Sequence, residues 1–279
     1  MSAFRRASES YTLFQQLGRS SVAQRPYVAA AQALAITGRA EQAAMTLAAV
    51  DALAVPIVPD RRTELLEARA WAAAAAGDLP TARAGLEEAA DYGEEAGDLV
   101  GAASALHGLA RLGHARQIAG RLEHLAAQVN GEFVAARAGY ANAVAAQDSQ
   151  ALQQVCEAFE GLGALLYAAE ASVEAAAVLR RGGRPRDAAA GEHRAAQLLS
   201  RCEGAATPVV RTITARARLT PGELDAAVQA AAGRSNKQIA ADSHISVRTV
   251  EGHLQRAYEK LGISSRRELA DALRDQPGT

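Results

Sequence analysis

Turn-like triplets recur along the first 205 residues of this 279-residue chain, and their spacing limits the possible folds most. Four of the five triplets contain Gly, which breaks helices and permits tight turns. Their central residues lie 39, 36, 34 and 36 positions apart. A period in the mid-thirties with a turn inside each unit predicts stacked helical hairpins. The triplets are Thr37-Gly38-Arg39, Ala76-Gly77-Asp78, Leu112-Gly113-His114, Ala146-Gln147-Asp148 and Gly182-Gly183-Arg184.

Small side chains recur at fixed positions around these turns. Eight residues before each centre the residue is small in four units of five, and Arg69 is the exception. Five residues after each centre stands a small or apolar residue: Ala43, Ala82, Ile118, Leu152 and Ala188. On these positions the unit resembles a tetratricopeptide repeat, in which small residues let paired helices approach closely. An irregular helical bundle is the alternative.

Composition favours helices throughout. The sequence also leads us to expect a cytoplasmic protein. Alanine is abundant and aromatic residues make up 4% of the chain, so an all-α fold is expected. The two cysteines, Cys156 and Cys202, argue against a disulfide scaffold. The sequence contains neither an N-terminal apolar signal run nor about 20 uninterrupted apolar residues, so we expect no membrane span.

The pattern changes after Gly204. The stretch up to Arg218 is β-branched and basic, contains Pro208, and lacks helical periodicity. We therefore predict a repeat domain over residues 1–205, a linker over 206–217 and a second domain over 218–279. The arginines at 211, 216 and 218 either lie near phosphates or belong to a solvated linker.

Capping residues predict four helices in the second domain. Thr220 caps the first, Pro221 takes its first position, and Glu223 completes a capping box. Its predicted buried stripe is Leu224, Ala227, Val228 and Ala231, and Gly233 ends it. Ser265 and Glu268 frame the last helix, whose apolar residues are Leu269, Ala272 and Leu273.

The two central helices of this domain are joined by a tight turn. Ser235 and Gln238 form a second capping box. The turn is Asp242-Ser243-His244, and Ile245 is expected to anchor it in the core. Ser246 caps the following helix, which should end at Gly262.

The longer of these helices has two different faces. At 100° per residue one stripe is apolar: Val247, Val250, Leu254, Ala257 and Leu261. The opposite face holds Arg248, Gly252, Gln255 and Glu259. Arginine recognises guanine and glutamine recognises adenine through base edges, so this face suits the DNA major groove. A missing side chain at Gly252 would allow a close approach.

Residues 218–275 resemble the DNA-binding domain of LuxR-type (GerE/FixJ-like) bacterial regulators. The resemblance rests on Leu219-Thr220-Pro221 with Glu223, Gly233, Ser235-Asn236-Lys237, Ile239-Ala240, Ile245-Ser246, Arg248-Thr249-Val250-Glu251, His253-Leu254, Tyr258, Lys260-Leu261-Gly262, Ser265-Arg266 and Glu268-Leu269-Ala270. It implies an ion pair between Glu223 and Arg266. Gly222 departs from the family, which usually has Arg there, and costs about 1 kcal/mol of local helix stability.

The resemblance and the helix faces together assign candidate DNA contacts. Base edges would be contacted by Arg248, Glu251, Gly252 and Gln255. Phosphates would be contacted by Lys237, Ser246, Thr249, His253 and Arg256. Two of these have an alternative role, because Ser246 could serve only as a cap and His253 could pack only at the helix edge.

Charge supports a DNA partner only weakly. Residues 206–279 hold 11 Lys and Arg against 8 Asp and Glu, a balance of +3, and the remainder holds 19 against 23, a balance of −4. Both lysines of the chain, Lys237 and Lys260, lie in the second domain. So modest a surplus would not by itself identify a DNA-binding protein.

These features predict a transcription regulator with double-stranded DNA as its partner, located in the cytoplasm and at the nucleoid when bound. The resemblance implies dimers formed through Leu269 to Leu273, and RNA polymerase is a candidate partner. The repeats would sense a small molecule or dock a protein, as in the C-terminal part of a large LuxR-type regulator. The alternative is a protein-interaction adaptor that works through the repeats.

No enzyme, cofactor or metal site is expected. The sequence has no phosphate-binding G-x-x-x-x-G-K-[ST] loop, so it should not bind ATP by that route. The histidines at 107, 114 and 124 are expected at the surface or at helix ends rather than as metal ligands. Trp71 and Tyr92 either fill gaps in the core or line a ligand groove.

Overall fold

The computed structural model describes residues 9–10, 12–14, 16–17, 20–52, 59–211, 219–261, 263 and 265–274. In this part of the chain the secondary structure is helical, with no strand, which confirms the all-α class. None of the helices described is both long and apolar enough to cross a lipid bilayer.

Ten helices pair in chain order as five hairpins that stack on one another. Within each hairpin the two helices pack side by side, and each hairpin contacts the next. The helices are α1 (Ser20–Ile36), α2 (Ala40–Ala52), α3 (Pro59–Ala76), α4 (Leu79–Ala96), α5 (Leu99–Leu109), α6 (Ala115–Gln128), α7 (Glu132–Ala146), α8 (Ser149–Gly161), α9 (Leu165–Arg181) and α10 (Pro185–Leu199). The predicted stacking of helical hairpins is therefore confirmed.

Each predicted triplet forms the turn inside one hairpin. The central residue always has a positive φ, from 54° at Gln147 to 92° at Gly113. Glycine adopts this left-handed conformation without steric cost, which explains why four of the five centres are Gly. The third turn is unusual, because Gly113 lies within a π-helical segment, Ala110–His114, that joins α5 to α6.

Small residues after each turn lie in the interface between helices. All five residues at this position are buried, from Ala43 to Ala188. Arg69, the exception at the other position, is exposed and forms an ion pair of 2.6 Å with Asp51. Most buried residues of the repeats join one continuous apolar core, in which alanine and leucine predominate.

The burial of His107 differs from the prediction. It was expected at the surface or at a helix end, but it is almost fully buried among aromatic rings. Trp71 also lies in the core, whereas Tyr92 is half-buried and stacks with Arg62. His124 is exposed, as expected.

Residues 206–211, the first half of the predicted linker, pack on the repeats instead of crossing solvent. The backbone N–H of Ala206 donates to the Ile36 carbonyl at 2.8 Å. Thr207, Val209 and Val210 are buried. Arg211 Nε donates to the Ala206 carbonyl at 2.9 Å and its Nη2 donates to the Ala75 carbonyl of α3 at 3.4 Å, so this side chain contacts the repeats. Residues 212–218, which include the arginines at 216 and 218, lie outside the described residues.

A second, separate core is built by the C-terminal helices. These are α11 (Pro221–Ala231), α12 (Asn236–Asp242), α13 (Val247–Leu261) and α14 (Leu269–Arg274), with a 3-10 turn at Arg266–Glu268 before α14. The predicted apolar residues of the last helix are confirmed, because Leu269 is buried and Ala272 and Leu273 pack against the core. Gly262, the predicted end of α13, lies outside the described residues.

For three residues of this domain the predicted burial is wrong. Val228 is 51% exposed, and Ile245 and Val247 are 37% exposed. The buried face of α11 is rotated toward Glu223, Ala226 and Ala230, because Glu223 forms ion pairs with α13. Ile245 and Val247 lie beside the tight turn, at the surface of a small core.

Candidate DNA interface

Hydrogen bonds at the helix ends define the geometry of the α12–α13 pair. Ser235 and Gln238 form the predicted capping box, with Ser235 N donating to Gln238 Oε1 at 2.8 Å. The backbone N–H of Thr249 donates to Ser246 Oγ at 3.0 Å, so Ser246 caps α13 as predicted. Between them His244 has a φ of 53°, which turns the chain sharply. Local polar chemistry therefore sets where each helix begins.

One side of α13 anchors the helix in the domain. Val250, Leu254, Ala257 and Leu261 are all buried in the C-terminal core. They recur every three or four residues, the spacing of one face of an α-helix. The opposite side is thereby held outward.

The candidate base-reading residues lie on that outward side. Arg248, Glu251 and Gln255 are exposed. Among the residues that the structure describes, neither Arg248 nor Glu251 has a hydrogen-bond or ion-pair partner. At Gly252 an added Cβ would lie 3.7 Å from Arg256 Nη1 and would touch nothing closer among the described atoms. The structure thus brings these four positions together on an accessible face.

The candidate phosphate-binding residues fall into two groups. Lys237 is exposed at the start of α12 and has no ion-pair partner in the described part of the chain. Ser246 and Thr249 are exposed but already bonded to each other, with 2.8 Å between their hydroxyl oxygens. Their hydroxyl groups can still share a phosphate oxygen, because a hydroxyl group both donates and accepts.

His253 and Arg256 are engaged within the domain. An added Cβ on Gly222 would stand 3.1 Å from the His253 ring, so the ring packs over this glycine at the helix edge. Arg256 Nη2 lies 3.1 Å from His253 Nδ1, and Arg256 Nε donates to Glu223 Oε1 at 3.2 Å. Arg256 remains 54% exposed, so its guanidinium group also faces solvent.

Glu223 is the centre of the domain's polar contacts, and its ion-pair partners differ from the one that the resemblance implied. The resemblance implied Arg266, but Arg266 donates to Asn236 Oδ1 at 3.0 Å and to the Arg234 carbonyl. Glu223 Oε2 instead accepts a hydrogen bond of 2.6 Å from Lys260 Nζ. A signal for this was present, because Arg256 and Lys260 are four residues apart and therefore share one flank of α13.

These contacts lower the pKa of Glu223. Burial alone would raise it, but hydrogen bonds from Lys260 and from Thr220 outweigh burial and bring the pKa to about 2. The carboxylate is therefore ionised at neutral pH. It secures α11 to α13 and so holds the outward face in place.

The repeats also approach this helix. α10 contacts α13, although Arg248, Glu251 and Gln255 remain exposed in that arrangement. The candidate interface is therefore accessible while the two helices are in contact.

Comparison with known families agrees with this geometry. Residues 217–273 match the family described as bacterial regulatory proteins, luxR family. No curated protein and no solved structure is significantly similar to the chain. The match spans the four C-terminal helices, their capping boxes and the exposed face of α13. Residues 217–273 are thus a helix-turn-helix domain of the luxR family of bacterial regulatory proteins.

Proposed function

We propose that the chain is a sequence-specific transcription regulator that places α13 in the major groove of its operator. The luxR-family domain supports a DNA-binding transcription regulator. The observation that carries the finer proposal is the exposed row Arg248, Glu251 and Gln255, opposite a buried apolar stripe. Such a row is suited to base edges, and an α-helix fits the width of the major groove.

Within this proposal the side chains have distinct roles. Arg248 donates to guanine and Gln255 pairs with adenine, while Glu251 accepts from cytosine or orients Arg248. Gly252 lets the helix approach the bases closely. Lys237, Ser246, Thr249 and Arg256 contact phosphates, which fixes the position of the helix without specifying sequence.

His253 has a smaller part in this proposal. Its ring packs over Gly222 and beside Arg256, so it holds the helix edge and orients the Arg256 guanidinium group toward the backbone of DNA.

A homodimer on DNA would bind two half-sites about one helical turn apart. The resemblance points to the last helix, α14, as the contact between subunits. Leu269 is fully buried in its own core, so the contact would rest on exposed Ala270 and half-buried Leu273. We expect the half-sites to be related by two-fold symmetry.

The repeats would serve as the sensing or docking region. Their hairpins form a large separate core, and residues 206–211, which pack on that core, precede the DNA-binding domain in sequence. RNA polymerase is a candidate protein partner of the bound regulator.

Selection of bound duplexes from a random pool, with the full-length chain at a stated salt concentration, tests the proposal. We expect one enriched motif for the wild type and loss of one preferred base pair for Arg248→Ala. Arg116→Ala, which removes an exposed arginine of α6, is the matched control and should leave the motif unchanged. A wild-type pool without any enriched motif would favour the adaptor function.

A further inference from the structure

A cluster of aromatic and charged side chains lies buried among α3, α5, α7, α8 and α9. It is unusual in a core built largely from alanine and leucine, because five of the chain's eleven Phe, Trp and Tyr residues gather there. The His107 ring centroid is 5.0 Å from that of Tyr140 and 4.8 Å from that of Tyr167. The members, here called the polar cluster, are Glu67, Trp71, Ser104, His107, Arg111, Phe133, Arg137, Tyr140, Phe159, Tyr167 and Glu170.

A buried ion pair forms the centre of the polar cluster. Arg111 donates to both carboxylate oxygens of Glu170, with Nε–Oε2 at 2.5 Å and Nη2–Oε1 at 2.8 Å. The Arg111 guanidinium group lies 4.1 Å from the Trp71 ring centroid and 4.9 Å from that of Tyr167. Aromatic faces and a charge-assisted pair thus meet at one point.

The charges of the polar cluster balance. Ser104 donates to Glu67 at 2.9 Å and accepts from Arg137 at 3.2 Å, which links a second buried carboxyl group to a second buried cation. Two arginines therefore face two glutamates. A charged ligand would upset this balance at a high desolvation cost, so the site suits an uncharged molecule.

Four polar atoms of the polar cluster have no hydrogen-bond partner among the described residues. They are Trp71 Nε1, Tyr140 Oη, His107 Nε2 and Arg137 Nε. The four residues are 2%, 1%, 1% and 6% exposed, so bulk water does not reach these atoms. Burial, with Arg111 and Arg137 nearby, lowers the pKa of His107 well below its ordinary value, so its ring is neutral. Buried polar atoms nearly always have a partner, which these four would obtain from a bound molecule.

The hydrogen bond from Thr207 to Glu170 indicates which chemical group of a ligand Glu170 can bind. Thr207 Oγ1 donates to Glu170 Oε1 at 2.6 Å, and Thr207 itself is 2% exposed. It belongs to the segment 206–211, which packs on the repeats and precedes the DNA-binding domain. A ligand hydroxyl group could form the same bond in its place.

We propose that the polar cluster is a binding site for a small neutral molecule rich in hydroxyl groups, a sugar or polyol, which replaces Thr207 on Glu170. The rings of Trp71 and Tyr167 pack against the apolar faces of such a molecule. Tyr140 and Arg137 supply further hydrogen bonds. Binding displaces segment 206–211 and so changes the connection between the repeats and the DNA-binding domain. The inference rests on the proposed sensing role of the repeats.

Trp71 is the only tryptophan of the chain, so its fluorescence reports on the site directly. Full-length protein is titrated with glucose, maltose, trehalose and myo-inositol, and with gluconate and glucosamine as charged counterparts. We expect a saturable change with at least one neutral compound and none with its charged counterparts. Equal binding of the charged compounds would overturn the proposed ligand class.

Two single-group variants separate a binding role from a structural one. Tyr140→Phe should weaken binding about tenfold, the usual effect of one hydrogen bond, and leave the melting temperature unchanged because the hydroxyl has no partner among the described residues. Thr207→Val should tighten binding about tenfold, since the competing hydroxyl group is gone. Thr46→Val is the matched control, because among the described residues the Thr46 hydroxyl bonds to the Gln42 carbonyl of its own helix, α2, away from the polar cluster.

Absence of a saturable change in both the wild type and Thr207→Val, across all four neutral compounds, would overturn the proposal. Unchanged sugar affinity in Tyr140→Phe and in Thr207→Val would do the same. The titration uses no DNA, so its failure leaves the proposed operator binding intact. Conversely, a successful titration with no enriched operator would reject the DNA-binding proposal alone.

Discussion

Lys260 donates a 2.6 Å hydrogen bond to Glu223 across 37 residues of sequence, and this pair joins α11 to α13. The Glu223 side chain is only 4% exposed and that of Lys260 is 26% exposed, so solvent screens the pair weakly. Thr220 N donates to the same carboxylate at 2.9 Å. One carboxylate therefore caps α11 and fixes the orientation of the helix proposed to read DNA.

This ion pair predicts an acid-sensitive C-terminal core. The pKa of Glu223 in the folded chain, about 2, lies below its ordinary value of 4.5, so its stabilisation is complete above pH 4.5 and is lost as the pH falls toward 2. Glu223→Gln should lower the free energy of unfolding at pH 7 by about 3 kcal/mol. It should also reduce the loss of stability in that acid range. Urea unfolding of the C-terminal core at several pH values measures both effects.

Glu251→Gln is the control for this experiment. Glu251 is exposed and has no ion-pair partner among the described residues, so the substitution should change little. Equal stability of Glu223→Gln and wild type at pH 7 would contradict the role given to the pair.

The buried Arg111–Glu170 pair predicts a large cost when one partner is removed. Arg111→Met should lower the free energy of unfolding by about 3–5 kcal/mol, because Glu170 is left as a buried, uncompensated charge. The double variant Arg111→Met with Glu170→Met should recover much of that loss. Asp187→Ala, which breaks the exposed pair with Arg184, should cost less than about 1 kcal/mol. Comparable losses in the buried and exposed variants would refute this interpretation.

Replacing either of two glycines in the C-terminal domain by alanine should change its stability, in opposite directions. Gly222→Ala should stabilise the domain by about 0.5 kcal/mol, because alanine favours the helix and the half-exposed His253 ring can move the few tenths of an ångström required. Gly233→Ala should destabilise it by about 1 kcal/mol, since Gly233 has a φ of 84°. Thermal unfolding of both variants gives the direction of each stability change, and changes in the same direction would contradict the prediction.

Gln255→Ala should relax the DNA preference at a single base pair. The expected cost on the preferred operator is about 1–3 kcal/mol, the usual discrimination of one bidentate contact. Binding-site selection followed by fluorescence anisotropy on the selected duplex measures it. A variant with the unchanged motif would show that Gln255 does not read a base.

Lys237→Ala should weaken binding to all duplexes by a similar factor, because a phosphate contact carries no sequence information. The slope of log affinity against log salt should decrease by about 1. Titrations at several salt concentrations, on operator and on unrelated DNA, test this. Loss of affinity for the operator alone would instead place Lys237 near a base.

Helix ends and turns could be predicted because their causes are local. Thr220 and Ser235 cap through atoms three residues away, and the turn centres need a left-handed backbone that glycine provides. The outward face of α13 follows from helical periodicity alone. For these features a short stretch of sequence contains all of the determining chemistry.

Partners distant in sequence could not be predicted in this way. The resemblance implied Arg266 as the partner of Glu223, whereas packing places Lys260 and Arg256 beside it. The position of residues 206–211 depends on Ile36 and Glu170, far away in the chain. Such contacts are selected by the whole core, because many alternative pairs satisfy the same local rules.

The sequence by itself determined the helical class, the hairpin turns, the caps and the accessible row on α13, because each depends on neighbours within about one or two helical turns. Only the tertiary structure decided that His107 and Arg111 are buried, that Thr207 bonds to Glu170, and that Glu223 joins α11 to α13. These outcomes require surfaces that exist only after distant segments have packed together.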